Sequence, residues 1–132
     1  MSSASDYLEG KILDHLFITA FTRPATVYAA LYTAAPSDAG GGTEVAGNAY
    51  ARVALTNDGT TWTRTGDTIT NAIAITFPAP TPSSWGTVTH WALLDAATSG
   101  NLLIWAPLTS ARLTSVGAAL AFSIGDLSIT AS

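Results

Sequence analysis

Residues 86–108, "GTVTHWALLDAATSGNLLIWAPL", decide the fold. Two apolar runs flank "AATSGN" (96–101), where Ser99, Gly100 and Asn101 tolerate the positive φ that a tight reversal demands. Ahead of the turn, Val88, His90, Ala92 and Leu94 alternate with Thr89, Trp91 and Leu93, the period of two that marks a strand. Behind it, "NLLIWAPL" (101–108) is strand-sized and continuously apolar. The stretch reads as an antiparallel hairpin. Trp91 and Trp105 are expected to pack the centre of a small β-protein, because large aromatic side chains dominate such cores.

The same period recurs on either side. "TVYAALYT" (26–33) sets Val27, Ala29 and Leu31 against Tyr28, Ala30 and Tyr32. Strands are expected at 50–56, 61–65 and 67–77, with two or three more within 112–131. Asn57-Asp58-Gly59 supplies a turn, and Pro78, Pro80 and Pro82 keep 77–86 out of any ladder. The glycine-rich "AAPSDAGGGTEVAGN" (34–48) reads as a flexible loop, ordered on contact with a neighbour. Seven to nine short strands without crossover helices predict an all-β fold, an antiparallel β-sandwich or jelly roll-like domain.

One amphipathic α-helix precedes it. In "SDYLEGKILDHLFITA" (5–20), Leu8, Ile12 and Leu16 form one row and Leu13 and Phe17, continued by Phe21, a second. This i, i+4 spacing puts both rows on one side of a helix. Asp6 is the expected N-cap, with Glu9 completing a capping box, and Pro24 the terminator. The expected division is 1–22 for the helix and 23–132 for the sandwich. So short a helix is marginal alone. Residues 1–22 are therefore expected to tether the chain in an assembly, through Leu8, Ile12, Leu13, Leu16 and Phe17.

Composition bounds the function. The 132 residues suit one domain, and the absence of cysteine excludes disulfides and thiolate metal sites. Only 11% of residues are charged, against about 25% in ordinary domains. A surface of small, weakly hydrated residues is easily buried by partners, so a homo-oligomer is expected. Net charge is −4 and the five basic residues are scattered, so nucleic acid is not an expected partner. Mean hydropathy is +0.32, yet no apolar run approaches the roughly 20 residues of a membrane helix. Membrane insertion is not expected, nor is a secretory signal, since no basic segment leads into an apolar one.

Chemistry-bearing patterns are sparse. His15 adjoins Asp14, but helical neighbours point about 100° apart and form no relay. His90 sits mid-strand, where hydrogen-bonded packing explains it. No nucleophile elbow, metal-ligand spacing or phosphate loop is present. No catalytic, cofactor-binding or metal-binding residue is expected, and the chain is expected not to be an enzyme. Trp62 and Trp85, near loops, are the candidate surface aromatics, suited to stacking on a host surface glycan.

Four blocks carry a resemblance. They are "DYLEGKILDHLF", "PATVYAALYTAAPSDAGGGTEVAGNAYARVALT", "ITFPAPTPSSWGTVTHWALLDAATSGNLLIWAPLT" and "FSIGDLSIT". The chain resembles a family of small phage and prophage proteins commonly labelled tail-fibre or minor tail proteins. Members share a "YLE…LL" helix, a "PATVYVALYT" strand, a "GTEVSGGGYAR" segment, a "FPTATASWGTVTH" stretch and an "ALFDAATGGNLL" hairpin. This chain departs from them at "NAYAR" and in "LTNDGTTWTRTGDT". The resemblance implies a virion structural protein without catalytic residues, assembled in the bacterial host cytoplasm with other phage structural proteins of capsid or tail. The label points to a tail-fibre or tail-tip component contacting a host receptor. The compact length, without shaft or heptads, points to a capsid decoration protein, the leading placement; a carbohydrate-binding module is a further alternative.

Overall fold

A computed structural model describes residues 3–131; the remaining ends of the expected 1–22 and 23–132 segments lie outside the described residues. One helix, α1 (Asp6–Phe17), accompanies eleven strands. In chain order these are β1 (Ser3–Ala4), β2 (Thr26–Ala34), β3 (Thr43–Glu44), β4 (Val53–Thr56), β5 (Trp62–Thr65) and β6 (Thr68–Asn71). They continue with β7 (Ile75–Thr76), β8 (Thr87–Leu94), β9 (Leu102–Leu113), β10 (Ala121–Phe122) and β11 (Ser128–Thr130). Every pairing is antiparallel.

The large sheet runs β1-β9-β8-β2-β3, with β4 also on β2. Residues Thr26–Ala29 of β2 pair with β4 and Tyr32–Ala34 with β3, so the two short strands lie end to end along one edge of β2. A three-stranded sheet, β11-β6-β5, and a ribbon, β10-β7, form the second layer. Between the layers, Val27, Ala29 and Leu31 of β2 and Trp91 and Leu93 of β8 meet Ile75, Phe77, Phe122 and Leu127. Phe77 and Phe122 pack edge to face at 6.2 Å. The all-β sandwich with a leading helix is thus the fold that the periodicity predicts.

Local departures have identifiable causes. The side chain of Ser5, not Asp6, caps α1: its hydroxyl accepts the Leu8 N–H at 3.2 Å and donates to the Leu102 carbonyl on β9. The helix stops at Phe17, well before Pro24, because His15 Nδ1 accepts the Phe21 N–H at 3.0 Å and turns the chain away. The expected strand at 67–77 breaks into β6 and β7 at Asn71. This fully buried amide donates to the carbonyls of Ile73 and Ser123 and accepts the Leu127 N–H, which bends the backbone around it.

The 86–108 hairpin forms, with Ser99 and Gly100 at positive φ as expected. Its register shifts between Val88 and His90, however, and again between Leu93 and Leu94. A bulge moves every later side chain to the opposite face. Val88 therefore joins Trp91 and Leu93 in the main core. Trp105, expected there too, lies on the outer face in a smaller cluster with Ala30, Tyr32, Ala92 and Leu94. Its ring sits 6.0 Å from that of His90.

The N-terminal segment enters the sheet directly, as Ser3 and Ala4 pair with Trp105 and Ile104. Replacing Asn71 with Leu should destabilise the protein by about 2–4 kcal/mol, because three backbone groups lose their partner. Ser5→Ala should cost about 1–2 kcal/mol through the lost cap. Urea denaturation checks both; an Asn71→Leu protein as stable as the parent would refute the account of the bend.

Candidate functional site

Three places gather the side chains that could carry function. The first is a polar clamp built from the "GTEV" and "YAR" segments and the hairpin turn. Arg52 Nε and Nη2 grip Glu44 Oε2 and Oε1 at 2.8 and 2.7 Å, a bidentate pair with side chains 8% and 23% exposed. Arg52 Nη1 donates to the carbonyls of Ala96 and Ser99 at 2.7 and 2.8 Å. The Tyr50 hydroxyl donates to Glu44 Oε2 at 2.7 Å and accepts the Leu31 N–H of β2 at 3.1 Å.

Burial, and then the bond to Glu44, push the Tyr50 phenol far above its ordinary range. The bond to Glu44 likewise raises Arg52. This network ties the 43–52 segment to β2 and to the hairpin turn. It also corrects the expectation for 34–48: that loop is ordered by its own chain, through Glu44, and needs no neighbour.

The second place is the outward side of α1. Tyr7 and Leu8 pack against the main core, with Lys11 and Asp14 half-buried on the same inner side. Glu9, Ile12, Leu13, Leu16 and Phe17 point out, the four apolar ones between 49% and 78% exposed. The helix thus turns its apolar stripe to solvent. Of the five residues expected at an assembly interface, four stand together on this free stripe, and Leu8 lies on the inner side.

The third is an open, largely apolar groove of about 460 Å³ between the large sheet and β11-β6-β5. Trp62, half-buried, lines it with Val27, Ile104 and Ile129, and Arg23 and Arg64 border it. Trp85 is elsewhere. It is 8% exposed, meets Tyr50 edge to face at 5.4 Å, and its indole N–H donates to the Asn48 carbonyl at 2.9 Å. The expectation of a surface role for Trp85 is corrected: the Pro-rich approach folds under the 47–50 turn and buries the ring.

Both histidines make local hydrogen-bonded contacts. His15 serves the helix end, and His90 contacts the Thr89 hydroxyl at 2.8 Å, burial holding its pKa below the ordinary value. Among the described residues no group of three or more His, Asp or Glu side chains is arranged to hold a metal ion. No helix among them is long and apolar enough to cross a membrane.

The clamp, the hairpin and the helix coincide with the blocks that carried the resemblance, and comparison with known families agrees. A family model described as Podophage GP4 fiber I protein gp80 matches residues 3–130. The chain belongs to this phage fibre family. No curated protein matches it. Membership of the gp80 fibre family makes the chain a structural component of the virion, associated with other phage structural proteins. The clamp residues Glu44, Tyr50 and Arg52 escaped the reading of single residues, although they are rare charges and a tyrosine within shared blocks of a charge-poor chain.

Arg52→Lys should destabilise the fold by about 2–4 kcal/mol, less than for a fully buried pair because Glu44 keeps some exposure. Thermal denaturation reads the loss. The raised Tyr50 pKa sets a pH window as well. Its contribution is complete below the unfolded value of about 10 and is lost as pH rises through the folded value. Stability should therefore fall above pH of about 10, and Tyr50→Phe should flatten that decline while weakening the protein at neutral pH. Denaturation at neutral and alkaline pH decides it; an unchanged alkaline slope in the variant would exclude Tyr50 as the cause.

Proposed function

We propose that the chain is a non-catalytic tail-fibre-type component of a phage particle, joined to the virion through the outward stripe of α1. The observation that carries this reading is the inverted helix. Ile12, Leu13, Leu16 and Phe17 face water while Lys11 and Asp14 face the domain. Contiguous exposed apolar surface on a small protein marks an interaction site. Burial of such side chains contributes roughly 25 cal/mol per Å² removed from water, enough to hold a subunit when many copies act together.

Support for the tail comes from the family's description as a fibre. Compact length alone favoured capsid decoration, and length is the weaker argument, since a fibre can be built from several short chains. On this reading residues 1–22 are the tether and 23–132 the body. Deleting the tether is a poor test, because β1 and the Ser5 hydroxyl hold β9. Point changes on the stripe leave those contacts alone.

Phage particles assembled with Leu13→Ser/Leu16→Ser/Phe17→Ser chain should lack it, while the purified variant keeps the parent's folded spectrum in circular dichroism. Labelling of parent particles should fall on the tail. Label on the capsid shell, or normal incorporation of the triple variant, would overturn the proposal.

A further inference from the structure

The stripe and the groove are complementary features of one chain. The stripe offers Ile12, Leu13, Leu16 and Phe17 around Glu9, at the i, i+3, i+4, i+7 and i+8 positions of a single helical face. The groove offers Trp62, Val27, Ile104 and Ile129 behind Arg23 and Arg64. Neither arginine forms an ion pair among the described residues; Arg64 Nη1 donates to the Gly66 carbonyl at 2.8 Å. Asp58, at the same mouth, already accepts the Thr60 N–H and hydroxyl. The helix as a whole carries Asp6, Glu9 and Asp14 against Lys11. An acidic apolar helix and a basic-rimmed apolar groove therefore occur on the same chain.

We infer that the occupant of the groove is the α1 stripe of a second copy of this chain, with Leu16 and Phe17 inserted beside Trp62 and Glu9 paired with Arg23 or Arg64. A chain cannot fill its own groove: Leu8, on the inner side of its helix, lines the groove wall while the stripe points away. Two stripes packed in parallel would oppose Glu9 with Glu9, a like-charge contact, and packed antiparallel they would set Glu9 against the apolar Phe17 end without a basic partner. The stripe-to-groove contact is head-to-tail, so an open series keeps one free stripe at one end and one free groove at the other until a ring closes or another component caps it. The inference rests on the reading of α1 as the assembly element, and it names the partner.

The purified full-length chain, followed by light scattering with size-exclusion chromatography, should form species of several times 13.5 kDa. Glu9→Arg and Arg64→Glu should each weaken association by about tenfold or more, and the double variant should recover it. Both positions are exposed, so folding is preserved.

A second arm uses Leu16→Asp, which spoils the stripe, and Arg23→Glu/Arg64→Glu, which spoils the groove mouth. Each alone should be monomeric, and mixing them should give a two-chain species and nothing larger. A groove variant that still self-associates would overturn the inference in favour of stripe-to-stripe contact. A parent that stays monomeric at every concentration would overturn it in favour of a different virion protein or a glycan in the groove. Failure here leaves attachment to particles, read on phage, as a separate result; failure there leaves self-association standing.

Discussion

The grip of Arg52 on Glu44 is the contact on which the large sheet depends at its loop end. Three segments converge there: the loop after β2, the stretch entering β4, and, more than forty residues on, the β8–β9 turn. Tyr50 extends the network to the backbone of β2, stacks its ring on Phe77 and meets Trp85 edge to face, so polar and apolar order share one side chain. In a chain where 11% of residues are charged, one bidentate pair with four of the five guanidinium N–H donors engaged does what many surface pairs do elsewhere. Half-satisfied, the same network would carry the desolvation cost of its charges without the return interaction.

Beyond the clamp, the turn itself is constrained. A Cβ at Gly100 would approach Asp95 Oδ1 to 2.6 Å, and that carboxylate already accepts the Asn101 N–H. The turn must hold its shape for Ala96 and Ser99 to present their carbonyls to Arg52. Hairpin, loop and clamp therefore form one cooperative unit, while α1 is attached chiefly through Ser5, Tyr7 and Leu8.

The helix shows what spacing can and cannot say. The i, i+4 rows identified the element and its apolar side correctly, but amphipathicity does not tell which side faces the body of the protein. Here the inner side is chosen by Ser5, whose two hydrogen bonds fix the start of α1 against β9, and by Tyr7 and Leu8, which reach the core. The remaining apolar side faces solvent. The tryptophans teach the same lesson. Trp91 and Trp105 share a hairpin and a strand pattern, yet a one-residue bulge sends them to opposite faces. Trp85 looked free beside its prolines and is buried by contacts with Tyr50 and Asn48.

By itself the sequence determined the all-β class, the antiparallel hairpin at 86–108, the leading helix and the virion family, because period-two alternation, turn residues and shared blocks are local properties of the chain. Only the tertiary structure decided the bulges, the break at Asn71, the outward turn of α1 and the meeting of Glu44, Tyr50 and Arg52. Each of these depends on partners distant along the chain, such as Leu127 for Asn71 and Ala96 for Arg52. Hydrogen bonds of that kind are set by where the backbone passes in space, which no local pattern records.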